Sequence, residues 1–400
     1  MHPADEIRGI KSKRLSKKKI ILGVTGSISA VECVKLAREL IRNGAEVIPV
    51  MTKSATKIIH PDSIEFATGN KPIIELSGAA EHVTYCGNVK KPADLLLISP
   101  CTANTISKIA HGIDDTSVTT FATTAIGSKI PVMIVPAMHL SMYDHKIVQK
   151  NIEICKKIGI KIVEPILSSN KAKMANIDEI VAFSTKLVGK KDLVGRKILI
   201  IGGSTAESID DVRVVTSRSS GKTAYHLALN AFYHGAEVEV WYGWNKKEIP
   251  NFINTNNFES IDDLNKLITK NKNQLKEYDS IILCAAIADY SIKKTNGKVS
   301  SGLDKLVLEM QPTMKIIGLL RKLAPNSKIV GFKVEDKKDK LKARAMDLLK
   351  KNDLDLVIGN TISGFSCDKN DIMIITKDGK TDFKNGKKEE LTDYILSYIV

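Results

Sequence analysis

The sequence predicts an α/β protein of two tandem Rossmann-like three-layer domains, and three observations lead there. An apolar strand runs into a small-residue turn twice, as Lys19-Ile20-Ile21-Leu22-Gly23-Val24-Thr25-Gly26-Ser27 and as Lys197-Ile198-Leu199-Ile200-Ile201-Gly202-Gly203-Ser204. Each pass is followed, after a helical stretch, by nearly the same words, Gly44-Ala45-Glu46-Val47 and Gly235-Ala236-Glu237-Val238. Between and beyond them, short apolar runs alternate with helical periods, the pattern of parallel strands covered by helices on both faces. In such a unit the turn presents backbone N–H groups at a helix N-terminus, where a phosphate can sit. The chain therefore reads as two nucleotide- or phosphate-handling domains.

Composition narrows the class. Four hundred residues at 43% hydrophobic content supply two ordinary cores. No apolar run approaches the roughly 20 residues of a membrane span, and no apolar segment opens the chain, so a cytoplasmic protein without a membrane partner is expected. The six cysteines are scattered, with no C-x-x-C pair and no metal-ligand spacing, which fits reduced, mostly buried thiols. A net charge of +15 is spread along the chain and aromatics are only 5%, so a solvated lysine surface serving small anionic substrates is expected rather than nucleic acid.

Residues 1–18 are rich in Lys and Arg and read as a basic, loosely ordered leader. The first domain spans 19–184, with strands at 20–24, 46–51, 94–98, 131–135 and 160–163. Residues 185–196 are polar and contain glycine, the composition of a linker. The second domain spans 197–400, with strands near 197–201, 237–242, 280–284, 328–332 and 355–358. A hairpin around Met373-Ile374-Ile375 turns at Lys377-Asp378-Gly379-Lys380, and a helix at 388–399 closes the chain.

In the first domain, Gly23-x-Thr25-Gly26-Ser27-Ile28-Ser29 has hydroxyls where a dinucleotide turn has glycines. Hydroxyls with helix N-terminal amides suit one terminal phosphate better than close approach to a pyrophosphate, which favours a mononucleotide such as FMN over NAD. Met51-Thr52-Lys53-Ser54-Ala55-Thr56 and Ser99-Pro100-Cys101-Thr102-Ala103-Asn104-Thr105 follow two further strands, at the ends where ligands of open α/β sheets gather. With Glu81-His82-Val83, Lys108-x-Ala110-x-Gly112-Ile113-x-Asp115 and Pro136-Ala137-Met138, these segments resemble in order the flavin-containing cysteine decarboxylases, above all the phosphopantothenoylcysteine decarboxylases. The resemblance implies an FMN contacted by Gly26, Ser27, Ser29, Ser54, Ser99, Thr102, Ala103, Asn104 and Asp115. It also implies that His82 is the base when the substrate thiol is oxidised, a role suited to imidazole.

Two departures stand out. His139 occupies the place of a substrate-holding asparagine. The flap segment Glu164–Ala175 lacks the family's proton-donating cysteine, leaving Lys171 or Lys173 to give the proton or clamp the substrate phosphate. Cys155, the nearest thiol, falls on the preceding helix and does not inherit the role.

In the second domain, Gly202-Gly203-Ser204-Thr205 leaves several N–H groups free to cradle an anion, and Thr216-Ser217-Arg218-Ser219-Ser220-Gly221-Lys222 is a second small-residue turn opening a helix. Asp289 follows a buried strand in Cys284-Ala285-Ala286-Ile287-Ala288-Asp289-Tyr290, where a carboxylate can hold Mg²⁺ bridging phosphates. These segments, with Asp210, Arg213, Gly331-Phe332-Lys333-x-Glu335, Asn360, Gly364-Phe365, Asp368 and Asn370, resemble the phosphopantothenate–cysteine ligases.

That resemblance implies a CTP-dependent ligase passing through an acyl-cytidylate. Asp289 would have a metal or nucleotide role, Lys298 would neutralise CTP phosphates, Phe332 would wall the cytosine pocket, and Gly203 and Asp210 would bind substrate. Arg213, Ser219, Ser220, Gly221, Lys222, Ala285 and Ala286 complete the set. Ser217 stands where the family has asparagine, and Lys298-Val299-Ser300-Ser301 and Met310-Gln311-Pro312-Thr313-Met314 depart from its lysine-rich segments.

The expected protein is a bifunctional coenzyme A biosynthesis enzyme with small-molecule partners (4′-phosphopantothenate, cysteine and CTP), acting as a homo-oligomer. Two other readings share some of the residues. One is a prenyl-transferring or other flavin decarboxylase fused to a nucleotide-dependent ligase, which Glu81-His82 and Pro136-Ala137-Met138 oppose. The other is a non-catalytic phosphate- or nucleic-acid-binding protein using the basic surface.

Overall fold

A computed structural model describes residues 2–300, 305–364 and 367–399. Ser301 and Phe365, both singled out in the sequence, lie outside the described residues. The chain divides into two compact units, Met1–Lys190 and Lys191–Val400.

The first unit contains β1 (Lys19–Val24), β2 (Glu46–Met51), β3 (Leu95–Cys101), β4 (Val132–Pro136), β5 (Met138–His139), β6 (Lys161–Ile162), β7 (Ile166–Ser168) and β8 (Lys171–Lys173). Five of these form a parallel sheet of order β2-β1-β3-β4-β6. Because helices cover both faces, the central strands are apolar throughout rather than alternating. Ile20, Leu22, Leu95 and Leu97 enter the core on one face, and Ile21, Leu96 and Ile98 the core on the other, as the two-residue period of a strand requires. From β1 the chain crosses to β2 on one side, and it returns to β3 on the other. That reversal opens a crevice at the carboxyl ends of β1 and β3.

The leader is not loose. Residues Pro3–Glu6 form a helical turn, and Ala4 and Leu15 are fully buried in the core beside the helix Cys33–Arg42. The amides of Gly9, Lys11 and Leu15 donate to the carbonyls of Ile41, Arg42 and Asn43, which a helix end leaves without intrahelical partners. Lys11 pairs with Glu39 of the same helix. Charge in the sequence concealed two apolar anchors and a helix cap.

The linker is also shorter than its composition suggests. The helix Ile177–Val188 runs through its first residues, because Ser184 and Thr185 satisfy their hydroxyls on the carbonyls of Ile180 and Val181 at 2.8 Å. At the other end Leu193 is buried in the second unit, its amide donating to His234 O at 3.1 Å.

The second unit contains β9 (Lys197–Gly202), β10 (Ala206–Ser208), β11 (Val214–Thr216), β12 (Glu237–Tyr242), β13 (Asn254–Asn257), β14 (Ser280–Leu283), β15 (Tyr290–Ile292), β16 (Met310–Pro312), β17 (Lys328–Glu335), β18 (Leu356–Thr361), β19 (Lys369–Thr376) and β20 (Thr381–Lys387). Its main sheet has the order β13-β12-β9-β14-β17-β18-β19-β20. It is parallel through β18, after which β19 and β20 add the expected hairpin. The direction of winding again reverses between two central strands, here β9 and β14. β13 carries no strand signature in Asn-Thr-Asn-Asn; it pairs at the sheet edge, where backbone ladder bonds suffice and polar side chains face water. The closing helix is Lys388–Leu396.

His234, 7% exposed at the end of the helix Lys222–Tyr233, ties this unit together. Its Nδ1 meets Asp192 at 2.6 Å and its Nε2 meets Asp393 at 2.8 Å, joining the entry to the unit with the closing helix. The hydrogen bond to Asp393 leads the causes that hold its pKa above the ordinary 6.5. A raised pKa means the imidazolium stabilises the fold fully below the ordinary value, and that this stability is lost as pH rises through the folded-state value. Calorimetry of His234→Gln should therefore show a destabilisation of about 2 kcal/mol at acidic pH, the scale of hydrogen bonds to charged groups, shrinking as pH rises above 6.5. A deficit that stays constant across that range would contradict this account.

Candidate active sites

In the first unit, Thr25 staples the two strand ends that frame the crevice. Its buried hydroxyl donates to Pro100 O at 2.8 Å and accepts from Thr102 N at 3.1 Å. Gly26 then passes so close to the turn after β2 that a Cβ on it would lie 2.6 Å from Ser54 Cβ. Ser27 caps the short 3-10 turn Ile28–Glu32, and Thr102 caps the helix Ala103–Ala110, its hydroxyl accepting from Thr105 N at 3.3 Å. Gly26, Ser27, Ser29 and Ser54 thus gather where β1 and β2 end, and Thr102, Ala103 and exposed Asn104 where β3 ends. Beside them Ile28 is 74% exposed and Val31 is exposed too. Small residues, hydroxyls and a helix N-terminus next to exposed apolar side chains suit a group with one phosphate and a flat ring.

Two of the expected contacts lie apart from this cradle. Ser99 is fully buried and turns its hydroxyl to Met174 Sδ at 3.3 Å, so its side chain faces the core. Asp115 is exposed and paired with Lys108 at 2.7 Å.

His82 sits in the first turn of the helix Glu81–Cys86. Its Nδ1 is buried without a hydrogen-bond partner, an arrangement that costs about 1–3 kcal/mol in an idle residue. Tyr85, one turn on, stacks with Phe121 at 6.5 Å on the helix Ser117–Gly127. That helix starts at the end of β2, where the Ser117 hydroxyl donates to Met51 O at 3.0 Å.

The flap forms a three-stranded ribbon of order β5-β8-β7. His139 pairs directly with Lys171, and Lys173, two residues along β8, shares the face of Lys171 while Ala172 between them is buried. The structure therefore brings His139, Lys171 and Lys173 together on one exposed face. Cys155 packs in the core, its thiol on Ile106 O at 3.9 Å and pushed up to about 11 by burial.

In the second unit, Gly203, Ser219, Ser220, Gly221, Lys222, Ala285, Ala286 and Phe332 line one cavity, together with Asn360, Gly364 and Asn370. The helix Lys222–Tyr233 points its N-terminus there with no side-chain cap, an arrangement that leaves its first amides for an anion. Its N-cap is Gly221, held at φ +74, where a Cβ would meet Tyr242 Oη at 2.1 Å. Lys222 bonds Asp368 at 2.6 Å.

Sequence reading missed Lys388, which also lines the cavity. It is 7% exposed, and burial, followed by the nearby Lys222 charge, holds its pKa below the usual lysine range. In the sequence it sits in a lysine pair typical of solvated surface, and only the packing of the closing helix reveals it.

Phe332 and Ala285 also border a neighbouring cavity containing Asp289, Lys315, Lys333 and Arg344. Asp289 is exposed and paired with Lys315, and no group of three or more His, Cys, Asp or Glu side chains forms a metal cage among the described residues. Asp210 and Arg213 stand apart. The buried Asp210 carboxylate accepts from the amides of Val212 (2.8 Å), Arg213 (2.7 Å) and Val299 (3.1 Å) and from the Arg213 guanidinium (2.8 Å). The Val212 amide is the first of the donors that keep its pKa low. This clamp docks the loop that carries exposed Lys298.

Comparison with known proteins matches both units. A family model described as Flavoprotein covers residues 8–189, and one described as DNA/pantothenate metabolism flavoprotein C-terminal domain covers residues 193–400. The chain is 43% identical over 403 residues to the coenzyme A biosynthesis bifunctional protein CoaBC of Thermococcus kodakarensis, covering 100% of this chain and 99% of that protein. It is 37% identical over 409 residues to the CoaBC protein of Methanocaldococcus jannaschii, covering 100% and 97%. A crystal structure of the DNA/pantothenate metabolism flavoprotein from Streptococcus pneumoniae matches 51% of this chain and 98% of its own, with 26% identity and a TM-score of 0.45. The chain belongs to the CoaBC family of bifunctional coenzyme A biosynthesis enzymes, a flavoprotein decarboxylase domain followed by a ligase domain.

Proposed function

We propose that the second unit joins 4′-phosphopantothenate to cysteine using CTP and Mg²⁺ through an acyl-cytidylate, and that the first unit decarboxylates the product to 4′-phosphopantetheine with bound FMN. The observation that carries this reading is the convergence of four separated segments, 203, 219–222, 285–286 and 332, on one cavity of the second unit.

Attack of a carboxylate on the α-phosphate needs charge neutralisation and positioning more than a covalent nucleophile. Lys222, Lys388 and the open helix N-terminus supply positive potential, Phe332 offers a wall for the base, and the Ala285-Ala286 backbone lies between. Lys298, on its docked loop, adds charge toward the phosphates. Asp210 and Arg213 serve by holding that loop. A magnesium ion would be held by Asp289 together with nucleotide phosphates, in keeping with a hard cation that retains few protein ligands.

In the first unit, FMN would be held by Gly26, Ser27, Ser29, Ser54, Thr102, Ala103 and Asn104, with Ser99 acting through its main chain and Asp115 at the margin. When bound, the flavin supplies two-electron oxidation of the substrate thiol and returns the electrons after CO₂ is lost. His82 would take the thiol proton on the ring nitrogen other than Nδ1, which is buried without a partner. His139 hydrogen-bonds the substrate from the flap, and Lys173 gives the proton that completes the product, with Lys171 beside it. The exposed Ile28 and Val31 support assembly into a homo-oligomer that covers the flavin. The protein would work in the cytoplasm on small molecules alone; no helix among the described residues is long and apolar enough to cross a membrane.

Three outcomes test this. Given 4′-phosphopantothenate, cysteine, CTP and Mg²⁺, His82→Asn should lose CO₂ release by roughly 100-fold or more, the scale of general acid–base catalysis, with pyrophosphate formation intact. Asp289→Asn should slow pyrophosphate release and leave decarboxylation of supplied 4′-phosphopantothenoylcysteine unchanged; equal loss of both activities in either variant would refute the division of labour. Gly26→Val should purify with little flavin absorbance while melting as a folded protein, and wild-type flavin content in that variant would place the cofactor elsewhere.

A further inference from the structure

We propose that Glu207 forms a subsite for the amine of the amino-acid substrate and takes a proton from it during acyl transfer; this rests on the ligase reading above. Glu207 lies in β10 and is 6% exposed. Its Oε1 accepts from Ile261 N at 3.1 Å, the first amide of the helix Ile261–Lys270, which fixes the orientation of the carboxylate. The second oxygen has no partner among the described residues, and no Lys, Arg or His pairs with the group. The group is otherwise buried, a setting in which carboxylates are ordinarily paired with a cation, and its free oxygen opens on a cavity through which such a charge can arrive.

Glu207 lines a solvent-open cavity of about 220 Å³ with Thr205, Ser217, Ala288, Asp289 and Met310, several times the roughly 30 Å³ a water molecule occupies. Asp289, the other carboxylate of the cavity, is exposed, pairs with Lys315 and is the residue assigned above to the metal, which leaves Glu207 as the carboxylate open to an amine. Ala286 borders both this cavity and the phosphate-binding one. Ala286 N donates to Gly203 O at 2.9 Å and Thr205 N donates to Ala286 O at 3.2 Å, which fixes the Ala286 backbone at the common border of the two cavities. An acyl group activated on one side of Ala286 is thus adjacent to an amine site on the other.

The ammonium of an amino acid loses one proton before attack. Its nitrogen then forms the C–N bond as the acyl C–O bond to phosphate breaks, and a second proton leaves as the amide forms. Glu207 accepts one of these protons and passes it to solvent, the other leaves directly to water, and the nucleoside monophosphate departs with the C–O electron pair.

The test uses the full chain with 4′-phosphopantothenate, CTP and Mg²⁺, following pyrophosphate release and then acyl capture by cysteine or by hydroxylamine, an amine unprotonated at neutral pH. Glu207→Gln keeps an acceptor for Ile261 N. It should retain the pyrophosphate burst, capture hydroxylamine at a rate within about twofold of wild type, and capture cysteine about 100-fold more slowly, with a raised KM. Equal losses with both amines, or unchanged cysteine capture, would overturn the assignment. Absence of a burst in the wild-type protein would overturn the ligase reading instead. If circular dichroism shows Glu207→Gln unfolded, Glu207→Asp retains the charge on a shorter arm and should raise the cysteine KM without altering hydroxylamine capture; an unchanged KM overturns the proposal.

Discussion

Close approach of backbone to backbone at the carboxyl ends of the central strands is the constraint on which both sites depend. Parallel strands joined by helices leave no crossover above the point where the winding reverses, so the loops on either side of it face each other. They can meet only where side chains are small. In the first unit Thr25 after β1 meets Pro100 and Thr102 at the end of β3, and in the second Gly203 after β9 accepts from Ala286 N after β14 at 2.9 Å while its own α-carbon lies against the Gly243 backbone. Larger residues there would push apart the very segments that make the cradles.

Within that shared frame the two units fill the space differently. The first uses neutral hydroxyls: Thr25 closes the strand ends, Ser27 and Thr102 cap short helices, and exposed Ile28 and Val31 lie beside them. That combination accommodates a single phosphate on a large apolar body. The second uses charge, with Lys222 and the buried Lys388 beside an uncapped helix N-terminus. Burial, followed by the nearby Lys222 charge, holds the Lys388 pKa below the usual lysine range, and a cation kept short of solvent suits a site that handles several phosphates.

Strands such as Lys19–Val24 and Lys197–Gly202 were legible because unbroken apolar runs ending in small residues have few other interpretations. Lone polar segments were not. Asn254–Asn257 is a strand only because β12 offers it an edge to pair with, and Ser184 and Thr185 remain helical because their hydroxyls find carbonyls one turn back. The basic leader read as loose because its charges outnumber Ala4 and Leu15, the residues that anchor it. Motif position singles out Ser99 and Asp210 without showing where their side chains turn, one toward Met174 and the other into donors from Val212, Arg213 and Val299.

The two repeated strand–turn–helix units, their order and the hydroxyl-rich or glycine-rich character of each turn were properties of the sequence alone, because backbone geometry and local spacing impose them. Which side chains share a site was decided by tertiary structure, because it depends on distances between segments remote in the chain. His139 opposite Lys171, Lys388 beside Lys222, and Glu207 buried with one oxygen unpaired all arise where separate elements pack, because packing alone sets which side chains of distant segments meet.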